Sequence, residues 1–64
     1  MLSKEFIMAV KTSPFKAYQI AHMAEIHPST LSKIICGIEK VKENDLRVLA
    51  VGRVLGLKPN DCFE

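Results

Sequence analysis

Two short helix-period segments meet across a break of about three residues, Glu25-Ile26-His27, which Pro28 closes. Before the break, from about Lys16 to Ala24, Ala17, Ile20, Ala21 and Ala24 recur at i, i+3, i+4 and i+7, the spacing of one helical face. Their small side chains permit a close helix crossing. At about 100° per residue, Gln19 and His22 fall on the opposite, solvent side. After the break, Pro28 suits the first position of a helix, where its missing N–H has no partner to lose. Leu31, Ile34 and Ile35 at i, i+3 and i+4 then mark an inward stripe. Ser29 and Lys33 point away from that stripe, Cys36 lies close to them, and Thr30 and Ser32 flank them. Short polar side chains with one cation suit close approach to another surface. Gly37 supplies the left-handed residue that stops the helix.

The flanking segments follow the same logic. Ser3 is a good N-cap for a first helix with Phe6, Ile7 and Val10 on one side, and Thr12-Ser13-Pro14 ends it, because the residue before a proline is pushed out of the helical region. Residues 38–43 form an exposed connection. Asn44 is a plausible N-cap for a further helix to Leu55, with Gly56 as its stop. Val48, Val51 and Leu55 form one face of that helix and Leu46, Leu49 and Ala50 another, so burial on more than one side is expected. Leu57 leads into Pro59-Asn60-Asp61-Cys62, at most one last turn, with Phe63 folded back as a plug. The pattern predicts one all-α domain over residues 1–64, a bundle of four to five short helices with a helix-turn-helix at about 16–36. Two short helices on so tight a turn suggest the unit that places a helix in the DNA major groove.

Composition narrows the function classes. A chain of 64 residues buries only a modest core and has no room for a deep catalytic cleft. Its 48% apolar and 25% charged residues are those of a folding globular domain rather than a disordered one. Phe6-Ile7-Met8-Ala9-Val10 is too short an apolar run for a signal-peptide core or a membrane span, which predicts a cytoplasmic protein. Cys36 and Cys62 show no metal spacing and form no disulfide framework, so reduced thiols are expected, with Cys62 in packing. The helix dipole disfavours a thiolate at Cys36, near a C-terminus. His22 and His27, five apart, lie on unlike faces and make no metal pair; Met1, Met8, Met23 and Tyr18 read as core or edge fillers. No nucleophile, base and orienting group occur at workable spacing, nor does a Gly-rich phosphate loop, so an enzyme is not expected and no cofactor is.

Ile20-Ala21, Ile26, Leu31-Ser32-Lys33-Ile34, Gly37, Leu55-Gly56-Leu57 and Pro59-Asn60-Asp61, taken in order, make the stretch from about Phe15 to Phe63 resemble the Cro and lambda-repressor type of helix-turn-helix family. Ala17 stands where that family commonly carries a phosphate-holding glutamine, and Glu25 where it carries a turn glycine. Val10 and Ile35 stand where some repressors pair an arginine with a glutamate, and an apolar contact is a fair substitute for a buried ion pair.

The resemblance implies that the third helix enters the major groove while the second lies across the backbone. Ser29 and Lys33 are the expected base-edge readers, Lys33 toward guanine O6 and N7, with His27, Pro28, Thr30 and Ser32 near the groove wall. Phosphates would be met by Lys16, Lys40 and Lys42 and by backbone N–H groups at Ala17, the start of the second helix. Lys40 and Lys42 sit beside Glu39 and Glu43, the pattern of a solvated surface, and a net charge of +2 permits nucleic-acid binding without requiring it. So few cations suggest two copies on neighbouring half-sites, with Leu46, Leu49, Val54, Leu57 and Phe63 as a homodimer surface; a tightly packed monomer is the alternative. The expected function is a sequence-specific double-stranded DNA-binding regulator, a repressor. The other class is a protein-interaction module, an antitoxin-like or scaffold subunit using the same fold, which the weak charge and Ala17 favour.

Overall fold

A computed structural model describes residues 2–63. Five short helices follow in order: α1 (Lys4–Thr12), α2 (Ala17–Met23), α3 (Pro28–Ile35), α4 (Leu46–Val54) and α5 (Pro59–Cys62). The architecture is a compact all-α bundle. Among the described residues no helix is long and apolar enough to cross a membrane.

Most of these helices place a small apolar pair in one core. Phe6 and Val10 come from α1, Ile20 and Ala21 from α2, Leu31 and Ile34 from α3, Val48 and Val51 from α4, and Cys62 from α5. Burying such side chains contributes roughly 1.5–3 kcal/mol each, so a core of this size holds a bundle together only if every helix joins it. Val10 is buried and Ile35 packs against the buried cluster. Ala17 departs from the expected inner face: it is exposed, because it is the first residue of α2 and lies a turn ahead of Ile20 and Ala21, where burial begins.

Helix ends are set by local chemistry. Ser3 caps α1, its Oγ accepting from the Phe6 N–H at 3.0 Å. The same hydroxyl donates to the Asp61 carbonyl, the Ser3 N–H donates to the Cys62 carbonyl at 3.0 Å, and Leu2 bridges Phe63 in antiparallel fashion. The two ends of the chain are thereby joined, and Phe63 is half-buried against the core. At the far ends of α2, α3 and α4 a paired closure recurs. Ile26, Ile38 and Leu57 N–H groups donate back to the Ala21, Lys33 and Gly52 carbonyls, and Glu25, Gly37 and Gly56 N–H groups to His22, Ile34 and Arg53. Each closure turns on a residue with positive φ: 60° at Glu25, 80° at Gly37 and 79° at Gly56.

The start of α4 corrects the sequence reading. Asp45, not Asn44, is the N-cap, and Asn44 instead takes a left-handed φ of 61°. Asparagine tolerates that conformation, which frees Asp45 to cap. Asp45 Oδ1 accepts from the Arg47 N–H at 2.9 Å and Nε at 3.1 Å, and Oδ2 accepts from a terminal guanidinium nitrogen at 2.9 Å. Arg47 also reaches Glu39 at 3.7 Å, tying the connection after α3 to α4. That connection is not wholly exposed: Glu39 and Val41 are half-buried, Val41 against the core. Nor is α4 covered all round. Leu46, its first residue, is 81% exposed, while Leu49 and Ala50 are half-buried.

Gly52 on α4 meets Cys62 on α5 so closely that a Cβ on Gly52 would lie 2.5 Å from Cys62 Sγ. Gly52→Ala is therefore expected to cost about 1–3 kcal/mol in denaturant unfolding, and the cost should fall sharply in a Cys62→Ala background, where the obstructing sulfur is gone. A second expectation concerns acid. The Arg47 side-chain hydrogen bond, against an opposing burial effect, holds the Asp45 carboxyl below its ordinary value. Its contribution to stability is thus complete above that ordinary value and is lost as pH falls through the depressed one. Thermal melts from about pH 5 down to about pH 2 should show a smaller fall in Tm for Asp45→Asn than for the parent.

Candidate functional site

With Leu31 and Ile34 buried, the outward side of α3 is fixed by helical geometry. Pro28, Ser29, Ser32, Lys33 and Cys36 are exposed along it, and Thr30 is half-buried at its edge. The sequence-chosen residues of this segment thus share one surface. His27 precedes them as the N-cap of α3. Its Nδ1 accepts from the Ser29 N–H at 3.2 Å and lies 2.6 Å from Ser29 Oγ, so the structure brings His27 and Ser29 together as one unit. Histidine is not among the preferred N-cap residues, and this cap depends on the ring nitrogen standing in for a side-chain oxygen.

Lys16 and Ala17 are both exposed at the start of α2. Lys16 is the N-cap there, and its N–H is taken by Gln19 Oε1 at 2.8 Å rather than left open. Lys40 and Lys42 are exposed in the connection between α3 and α4. Within that connection Glu39 is drawn to Arg47 at 3.7 Å. Among the described residues no carboxylate lies within ion-pairing distance of Lys16, Lys33, Lys40 or Lys42.

A second surface feature escaped the sequence reading. Phe15, Tyr18 and Met23 are 47%, 56% and 45% exposed, and with Gln19, His22 and Pro28 they line an open apolar groove of about 480 Å³. Tyr18 and Met23 are therefore not core fillers, and neither is Met8, also exposed on α1; Met1 lies outside the described residues. Pro28 belongs both to this groove and to the start of α3. The signal that could have found it was the outward position of Gln19 and His22: neighbours on that flank, Tyr18 among them, had to be exposed too.

Among the described residues no group of three or more histidine, cysteine, aspartate or glutamate side chains is placed to hold a metal ion. Cys36 is free and exposed. Cys62 is free and buried, and burial with the nearby Asp61 charge pushes its thiol up, away from the reactive thiolate. Comparison with protein-family models, with curated proteins and with solved structures gives no match.

The turn between α2 and α3 carries a testable local strain. Glu25 holds a left-handed φ that the closing bonds require, a conformation costing a non-glycine residue on the order of 1 kcal/mol. Glu25→Gly is expected to raise stability by up to about 1 kcal/mol, read as an increase in Tm, with no change at Gly37 or Gly56.

Proposed function

We propose that this domain is a sequence-specific double-stranded DNA-binding regulator, a repressor, in which α2 and α3 act as a helix-turn-helix of the Cro and lambda-repressor type. In this reading α3 seats its outer face in the major groove and α2 lies across the backbone. The observation that carries it is the outer face of α3: Ser29 and Ser32, short enough for close approach, exposed together with the longer, cationic Lys33, opposite a stripe whose burial fixes their direction. Lys33 is the strongest reader, a cation able to donate to guanine O6 and N7. Lys16, Lys40 and Lys42, exposed and without carboxylate partners among the described residues, suit phosphate contacts. Two copies on adjacent half-sites would compensate for so few cations, and Leu46, which projects almost fully into solvent, with half-buried Leu49 beside it, is the natural place for a second copy to cover. Val54, Leu57 and Phe63 contribute less to such a surface, because they already pack on the protein's own core.

A second reading rests on a specific observation. The exposed Phe15, Tyr18 and Met23 groove would suit a protein-interaction module, an antitoxin-like or scaffold subunit.

Salt titration of duplex binding separates the two. Roughly three to five phosphate contacts give a log–log slope of about −3 to −5. Lys33→Ala, exposed and outside the core, should keep the parent Tm while weakening a selected site about tenfold. Absence of duplex binding at low salt would leave the interaction module as the better account.

A further inference from the structure

Resting on the placement of α3 in the groove, we infer that His27 sets the hydrogen-bond polarity of Ser29, so that Ser29 presents an acceptor to the base edges and selects adenine or cytosine over guanine or thymine. A serine hydroxyl ordinarily serves either purpose, since it carries one donor and two acceptor positions. Here two contacts remove that freedom. The Ser29 backbone N–H, which can only donate, points at His27 Nδ1 at 3.2 Å. That bond assigns Nδ1 as the unprotonated nitrogen of a neutral ring, with the proton on Nε2; the opposite tautomer would break it and donate from Nδ1 to Ser29 Oγ instead. Ser29 Oγ lies 2.6 Å from the same nitrogen, a hydrogen-bond distance. With no proton on Nδ1, that bond exists only if the hydroxyl donates it. The hydroxyl's one hydrogen is thus used inside the α3 cap, and what remains exposed on Ser29 is oxygen lone pairs.

In the major groove, adenine N6 and cytosine N4 offer donors, whereas guanine O6 and N7 and thymine O4 offer acceptors. An acceptor-only Ser29 pairs with the first group and faces lone pair to lone pair with the second. His27, itself exposed, is on this view a positioning residue that acts on the base through Ser29. Lys33, a donor, reads the opposite set, so the two residues are complementary rather than redundant.

The test has two arms. In the free protein with its imidazoles neutral, long-range proton–nitrogen spectra should show His27 with Nδ1 unprotonated and Nε2 protonated. The reverse tautomer would overturn the inference without reference to DNA. In the second arm, duplexes are selected from a random pool by the parent, Ser29→Ala and His27→Ala, each below its melting temperature. Ser29→Ala identifies the base position that Ser29 covers, the one column whose preference disappears. On the strand that Ser29 faces, the parent should prefer adenine or cytosine there by about fivefold or more. His27→Ala, which releases the hydroxyl's hydrogen, should lose that preference while keeping the remaining columns, an outcome that a general weakening of α3 would not produce. Because every base pair carries one such amine, on one strand or the other, the contact is read by replacing the selected adenine with purine or the cytosine with 2-pyrimidinone: an affinity unchanged by removal of the amine on either strand, or an unchanged column in His27→Ala, overturns this inference alone. A pool with no selected duplex overturns the groove placement of α3 and the inference with it.

Discussion

Leu31 and Ile34 are almost completely buried, and between them they fix the rotation of α3 about its axis. A helix that turns about 100° per residue leaves no independent choice for the residues between and around them. Ser29, Ser32, Lys33 and Cys36 face outward because Leu31 and Ile34 face inward, against a core that Ile20, Ala21, Val48 and Val51 complete. Removing the stripe would not only weaken the fold; it would also release the direction of every side chain on which the functional reading depends.

The backbone between the helices reinforces that direction. The closing bonds after α2 bring the chain from Met23 to Pro28 in a few residues, with Glu25 in the left-handed conformation and Ile26 folded onto the core. His27 then leaves the turn in extended geometry and caps α3, placing its ring against Ser29. Packing, turn and cap therefore act on the same few residues. The connection after α3 is anchored separately, through Arg47 to Glu39 and Asp45, and this leaves Lys40 and Lys42 outside the ion-pair network.

Much of this was legible in the sequence because it depends on spacing. The pairs Phe6 and Val10, Ile20 and Ala24, Leu31 and Ile34, and Val48 and Val51 lie at helical intervals, and Ser3, Pro28, Gly37 and Gly56 have local preferences strong enough to mark helix ends. What escaped depends on distant partners or on competing local options. Asn44 and Asp45 are both competent caps, and the hydrogen bonds from Arg47 go to Asp45. Gly52 looks like a weak point inside a helix until Cys62 Sγ is found against it. Ser3 joins Asp61, 58 residues away, a pairing that no local pattern encodes. The outer face of α3 was legible from its opposite stripe; the same logic on α2 marks Tyr18 as exposed, but not that Phe15, from before that helix, and Pro28, from α3, complete an apolar groove with it. The contact between His27 and Ser29 is likewise a matter of side-chain geometry rather than spacing.

The most direct measurement is amide chemical-shift mapping of the labelled protein during titration with a duplex at low salt. The account requires the largest perturbations from His27 to Cys36, with smaller ones at Lys16, Ala17, Lys40 and Lys42, and little change among Phe6, Val48 and Val51. Perturbations centred on Phe15, Tyr18, His22 and Met23 with α3 unmoved, or none anywhere, would contradict it.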